Sequence, residues 1–116
     1  MYFNHCCKSQ DQETRENAAY NFPCILDIFG KTSNSDMDFP HCLKSFTKNS
    51  EVVRIKCIVG SQMHEIFRIC DKYSLDFYNF VPVFSALLNS DQLEVQTSLL
   101  KHLAMTVNLI NKYFKY

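Results

Sequence analysis

The chain has 116 residues, of which 47% are apolar, and its 12 basic and 12 acidic residues give a formal net charge of zero. This length fits one domain with a substantial core, while neutrality without a basic run gives no reason to expect a nucleic-acid partner. No uncharged apolar run reaches the ~18 residues of a membrane span, and the first residues lack the pattern of a secretory signal. We therefore expect a chain of the cytoplasm or the nucleus, with neither nucleic acid nor a membrane as its partner.

The turn signals of the sequence favour helices over strands. Only two glycines, Gly30 and Gly60, and three prolines are present, and the hairpin signals Asn-Gly and Asp-Gly are absent. No long run alternates cleanly between apolar and polar residues, as a half-buried strand would. The sequence therefore predicts an all-α fold.

One amphipathic helical pattern occurs three times along the chain. Counting from Arg15, Lys56 and Gln96, apolar or small residues recur 3, 4, 7, 11 and 14 positions later, which is one face of an α-helix. The three anchors are 41 and 40 residues apart. The positions on this face are Ala18, Ala19, Phe22, Leu26 and Phe29; Val59, Gly60, Met63, Phe67 and Cys70; and Leu99, Leu100, Leu103, Val107 and Ile110.

A shorter helix is predicted ahead of the second and the third long helix. Residues 39–46 and residues 80–88 are apolar and carry a proline near the start, where its missing N–H costs little. Asp38 and Asn79 are the expected N-caps of these helices. The unit is thus a short helix, a polar turn and a long helix, and its period near forty is typical of HEAT repeats.

We therefore expect an α-α superhelix, a HEAT-repeat solenoid of about two and a half repeats. The predicted repeats are a partial one at residues 1–31, a second at residues 36–72 and a third at residues 74–116. One helix pair cannot bury both of its apolar faces, so neighbouring pairs must cover each other. The small residues Ala18, Ala19 and Gly60 predict close contacts between helices. An array cut at these ends would expose apolar surface, so we expect a fragment, a truncated product or part of a longer array.

Acidic residues are concentrated in the polar turns that open the long helices. They are Asp11, Glu13, Glu51, Asp91 and Glu94. Acidic side chains suit helix N-termini, where free N–H groups and the helix dipole attract negative charge, so capping is the first interpretation. The same side chains are candidate exposed contacts for a protein partner, and the sequence leaves both interpretations open.

The sequence contains no recognisable catalytic or metal-binding motif. Its six cysteines sit mostly among apolar residues and are expected to be reduced. No Cys-x-x-Cys pair predicts zinc, and after His64-Glu65 the second histidine of a zinc-protease motif is replaced by Arg68. We predict a non-enzyme without a cofactor or a metal. A cysteine–histidine site remains an alternative, because its members need not be close in sequence.

Five aromatic residues are clustered before and within the last short helix. They are Tyr73, Phe77, Tyr78, Phe80 and Phe84. Packing in the core is the first interpretation of this cluster. An anchor patch for a partner is the second, because aromatic side chains dominate binding hot spots.

Three stretches of the sequence resemble the regulatory subunit 1 family of protein phosphatase 4. They are RENAAYNFPCILDIFG, VRIKCIVGSQMHEIFRI and NFVPVFSALLNSDQLEVQTSLLKHL, and the resemblance covers roughly residues 7–110. The chain departs from the pattern at Gln96, where a basic residue is common, and members of that family are several times longer.

The resemblance implies a non-catalytic regulatory or scaffold subunit built of HEAT repeats. It implies that the turns at residues 9–14, 49–53 and 89–94 form a ridge that binds a phosphatase catalytic subunit. Carried over position by position, the weakly expected contacts are Asp11, Glu13, Glu51, Asp91 and Glu94. An adaptor of the importin type that binds another protein cargo is the alternative, because the repeat period fits it equally well.

Overall fold

A computed structural model of the chain describes residues 2–30 and 38–114. These residues form seven α-helices and one 3-10 turn, without a strand, so the predicted all-α class is confirmed for them. The helices are α1 (Tyr2–Cys7), α2 (Gln12–Phe29), α3 (Phe39–Ser45), α4 (Val53–Tyr73), α5 (Val81–Leu88), α6 (Leu93–Leu100) and α7 (Leu103–Phe114), with the 3-10 turn at Phe77–Asn79. The predicted repeat limits at residues 1, 31, 36 and 116 lie outside the described residues.

The long helices pack in chain order, with α4 in the middle. Helix α2 covers one side of α4, while α6 and α7 cover another. The shorter α1 packs on α2, α3 packs on α1 and α2, and α5 packs on α4 and α6. The molecule measures 43 × 38 × 18 Å, and its thin dimension fits two layers of helices about 9 Å apart. None of the helices in residues 2–30 and 38–114 has the length and apolar character needed to cross a membrane.

The predicted start of α3 is confirmed, and that of α5 is wrong. The Asp38 carboxylate accepts a hydrogen bond from the backbone N–H of His41, as an N-cap should. Asn79 instead lies inside the 3-10 turn, where its side-chain amide donates to Asp76 at 2.7 Å. Helix α5 begins at Val81 after Phe80, which makes no side-chain cap. Phe77 and Phe80, which precede Pro82, are buried in the core.

The third long helix is not continuous, which corrects the sequence pattern. A turn at Lys101 and His102 separates α6 from α7, and the apolar face changes register across it. Leu100 is 58% exposed and Val107 39% exposed, although both lie on the predicted buried face. Thr106 is buried instead, and its hydroxyl donates to the His102 carbonyl, so the buried polar group is satisfied.

Two aromatic clusters hold the helices together. Phe22 of α2 lies 5.9 Å from Phe39 and 6.5 Å from Phe46 in edge-to-face contacts, which join α2 to α3. Phe67 of α4 lies 4.7 Å from Phe77 and 6.0 Å from Phe84. Since Phe77 and Phe84 are buried, core packing is the confirmed interpretation for them.

Phe80 is also buried, whereas the Tyr78 side chain is 52% exposed. The Tyr78 hydroxyl donates to the Tyr113 carbonyl at 3.0 Å, so it links the 3-10 turn to α7. Tyr73 is half-buried at the end of α4. The cluster thus serves mainly to pack α4, α5 and α7 together.

Gly60 lies at a close contact between α4 and α6, as the sequence predicts. A Cβ atom at this position would overlap the Ser98 hydroxyl of α6 and lie 3.1 Å from the Ser98 Cβ. The Ser98 hydroxyl donates to the Val95 carbonyl at 2.6 Å, which keeps it close to its own helix. Glycine is therefore the residue that lets α6 pack this tightly on α4.

Candidate functional site

The three polar turns lie side by side along one edge of the molecule. A cleft of about 270 Å³ is lined by Lys8 and Ser9 from the first turn region and by Lys48 and Ser50 from the second. A cleft of about 310 Å³ is lined by Asn49 of the second turn and by residues 89–91 of the third. We call these turns, at residues 9–14, 49–53 and 89–94, the turn ridge.

Ion and hydrogen-bond pairs connect each long helix to the next turn of the ridge. The Arg15 guanidinium of α2 donates to both carboxylate oxygens of Glu51, at 3.0 and 3.1 Å. The Lys56 ammonium of α4 lies 3.5 Å from the Gln92 side-chain oxygen. Both pairs span 36 residues, and Arg15 and Lys56 are both the fourth residue of their helix. Arg15 and Lys56 thus hold equivalent positions in α2 and α4, Arg15 in a bidentate ion pair and Lys56 at the distance limit of a hydrogen bond.

The expected exposure of Glu51 is wrong. Its side chain is 1% exposed and the partner Arg15 side chain 18% exposed, and the carboxylate also accepts the backbone N–H of Val52 at 2.9 Å. Glu51 thus pairs at once with the N–H of Val52, the residue just ahead of α4, and with the cation of α2. A carboxylate held in this way stabilises the fold and is not free to contact a partner.

The other four acidic residues of the sequence prediction are exposed on the ridge. Asp11 caps α2, where its carboxylate accepts from the backbone N–H and the hydroxyl of Thr14 at 3.1 and 2.6 Å. Those two hydrogen bonds lower the pKa of Asp11. Glu13 and Glu94 lie in the first turns of α2 and α6, and Asp91 lines the second cleft. Partner binding by these four residues stays a prediction.

Two lysines directly beside the turn ridge were missed by the sequence predictions. Lys8 and Lys48 are exposed and line the first cleft from opposite sides. They are 40 residues apart, which is the repeat period, and that equal spacing was the signal that could have found them. The first cleft is therefore flanked by two lysines, and the exposed carboxylates lie at the two ends of the ridge.

Two histidine rings are stacked where α6 ends and α7 begins. The centroids of the His64 and His102 rings are 3.7 Å apart, with 25° between the ring planes. Burial lowers the pKa of His64, and neighbouring His102 lowers it further. Glu65 raises that pKa, whereas Arg68 and Lys101 lower it. A neutral His64 imidazole therefore suits this half-buried site better than an imidazolium cation.

The described part of the chain offers no arrangement for a metal ion. No group of three or more His, Cys, Asp and Glu side chains within it is placed to hold one. The six cysteines are free thiols.

Comparison with protein-family models, with curated proteins and with solved structures finds no match to this chain. The candidate site therefore rests on the residues and contacts of the chain itself.

Proposed function

We propose that the chain is a non-catalytic scaffold segment of the HEAT-repeat type that binds a protein partner along its turn ridge. The observation that carries this proposal is the repeated connection between units, Arg15 to Glu51 and Lys56 to Gln92, which aligns three turns on one edge. Stacked helix pairs that present their turns in a row form an extended surface, which is the usual binding mode of such repeats. The proposed place of action is the cytoplasm or the nucleus.

The partner we propose is the catalytic subunit of a protein serine/threonine phosphatase, in particular that of phosphatase 4. The resemblance of the three sequence stretches to the regulatory subunit 1 family supports this choice. The charges of the ridge add to it, because Asp11 and Glu13 at one end and Asp91 and Glu94 at the other are exposed. A rim of exposed charges affects the rate and the specificity of association more than the affinity itself.

A pull-down from cell extract tests both parts of the proposal. The purified chain is immobilised, and the bound fraction is blotted for the catalytic subunits of phosphatases 4, 2A and 6. A D91R/E94R variant is run beside it, with circular dichroism of both chains. We expect selective capture of the phosphatase 4 subunit by the wild-type chain and loss of capture in the variant, because both side chains are exposed on the third turn.

A D76K variant is the matched control, because Asp76 is exposed at the start of the 3-10 turn, away from the turn ridge. It should capture the subunit as well as the wild type does. Capture of none of the three subunits by a helical wild-type chain would overturn the phosphatase proposal. Capture of a nuclear-transport cargo in place of a phosphatase would favour the adaptor alternative.

A further inference from the structure

Two buried thiols meet where α1 packs on α3. Cys7 of α1 is 2% exposed and Cys42 of α3 is fully buried. The Cys42 thiol donates to the side-chain oxygen of Asn4 at 2.6 Å. Cys7 follows Asn4 by three residues, so the two lie on the same face of α1. This face therefore brings both Asn4 and Cys7 to Cys42.

The two thiols influence each other's protonation. The interaction with Cys42 raises the pKa of Cys7, and the interaction with Cys7 lowers the pKa of Cys42. Cys42 is consequently the thiol that more readily becomes a thiolate, and the thiolate is the nucleophile in thiol–disulfide exchange. Because α1 packs on α3, a disulfide with an S–S bond of ~2.05 Å would form across the contact between these two helices.

We propose that Cys7 and Cys42 are a reversible disulfide site, oxidised by a small-molecule disulfide such as oxidised glutathione, and that the bond fastens α1 to α3. The Cys42 thiolate attacks one sulfur of oxidised glutathione and forms a mixed disulfide, and one glutathione thiolate leaves. The Cys7 sulfur then attacks the Cys42 sulfur of the mixed disulfide, and the second glutathione thiolate leaves. Each cysteine gives up one proton, and the two protons are taken up by the two leaving thiolates. Two protein thiols and one oxidised glutathione thus become one protein disulfide and two reduced glutathione molecules.

Access to these buried sulfur atoms requires α1 to separate from α3 for a moment. Helix α1 has six residues, which is far below the ~12 residues that an isolated helix needs for marginal stability. Such an element opens locally without unfolding the rest. The disulfide would link positions 7 and 42, which are 35 positions apart in the sequence, and cross-linking restricts the unfolded chain. Oxidation should therefore raise the melting temperature.

The test uses the full chain equilibrated with mixtures of reduced and oxidised glutathione. Remaining thiols are alkylated under denaturing conditions, and the protected pair is mapped by peptide mass spectrometry without reduction. We expect two of the six cysteines to be protected, a cross-linked peptide that joins Cys7 to Cys42, and a melting temperature raised by about 5 °C or more. A C24S variant, which changes an exposed thiol, should form the same bond, whereas C7S should not.

Peptide mapping of the wild-type chain tests whether the Cys7–Cys42 bond forms even if the C7S variant fails to fold. Alkylation of all six cysteines after exposure to oxidised glutathione would overturn the proposal. A cross-link that includes Cys6, Cys24 or Cys57 in place of the proposed pair would overturn it as well. A Cys7–Cys42 bond without a rise in melting temperature would overturn the fastening of α1 to α3.

Discussion

Arg15 and Glu51 form a bidentate ion pair between α2 and the turn that precedes α4. The Arg15 Nε and one terminal nitrogen donate to the two Glu51 oxygens at 3.0 and 3.1 Å, and the Glu51 side chain is almost fully buried. The other terminal nitrogen of Arg15 donates to the carbonyls of Ser9 and Gln10. This one guanidinium therefore joins two neighbouring turns of the ridge.

Removing the cation should destabilise the whole molecule. In R15A the Glu51 carboxylate stays buried without its cation, so we expect the free energy of unfolding to fall by about 2–4 kcal/mol, measured by urea titration. R54A is the matched control. Arg54 pairs with Glu16 but is 74% exposed, and such a pair contributes at most about 1 kcal/mol. Equal losses in R15A and R54A would show that the buried pair has no special role.

The contact between Gly60 and Ser98 should behave as a compensating pair. G60A places a methyl group against Ser98, and we expect a loss of about 1 kcal/mol, although alanine is the better helix former. In G60A/S98G the Ser98 side chain is removed and no longer overlaps the alanine methyl group. The double variant should therefore be more stable than G60A alone. S98G by itself gives the reference for a double-mutant cycle followed by thermal unfolding. Strictly additive changes would contradict the close approach of α4 and α6.

The stacked histidines should make stability depend on pH. Burial and His102 lower the folded-state pKa of His64 below its ordinary value of 6.5, so the unfolded chain takes up the proton first. The stabilising effect of neutral His64 is therefore complete above about pH 6.5 and is lost as the pH falls below it. Paired carboxylates such as Asp11 lose their contribution only near and below their ordinary pKa of 3.8.

Melting curves between about pH 7.5 and about pH 5.5 separate these effects. We expect the wild-type melting temperature to fall by a few degrees across this range, and H64Q to show a smaller fall. H41Q, which changes an exposed histidine on α3, should follow the wild type. The same pH dependence in H64Q and in the wild type would exclude the stacked pair as its source.

Asp71 should hold α7 against the end of α4. Its carboxylate accepts from the Lys112 ammonium and from the Tyr113 hydroxyl, each at 2.8 Å, and the Tyr113 ring is stacked on Phe77 at 4.5 Å. In D71A we expect faster amide hydrogen exchange in α7 and unchanged exchange in α2, because local opening follows lost local contacts. Uniform acceleration in both helices would indicate global destabilisation and contradict this local role.

The local part of the fold could be predicted from the sequence because short-range chemistry determines it. Asp38 followed by Phe39 and Pro40 combines an N-cap with a proline at the helix start, and α3 begins there. The apolar spacing after Arg15 and Lys56 gave a face on which most positions are buried in α2 and α4. In these two helices periodicity and tertiary packing agree.

The third helix could not be predicted in this way. Apolar spacing favoured Leu100 and Val107, but the chain turns at Lys101 and His102 and buries Thr106 instead. Stacking of His102 on His64 and of Tyr113 on Phe77 accompanies this change of register. Such contacts join residues more than thirty positions apart, and no local pattern encodes them.

The turn ridge was only partly predictable, because some of its contacts join residues that are distant in the sequence. The spacing of the sequence pattern located the turns of the ridge. Only the fold shows that the Glu51 carboxylate forms an ion pair with Arg15 of α2. An acidic residue next to a helix start has the same local signature whether it faces solvent or a buried cation. The choice between the two is made by the helix that packs beside the turn.

Hydrogen exchange of the chain with and without the purified catalytic subunit of phosphatase 4 would show whether the turn ridge is the binding surface. We expect slower exchange upon binding at residues 9–14 and 89–94, where the exposed acidic residues lie, and unchanged exchange at Gly30 and at residues 74–76, away from the ridge. Binding that leaves the turn ridge unprotected, or no binding by a folded chain, would contradict this expectation.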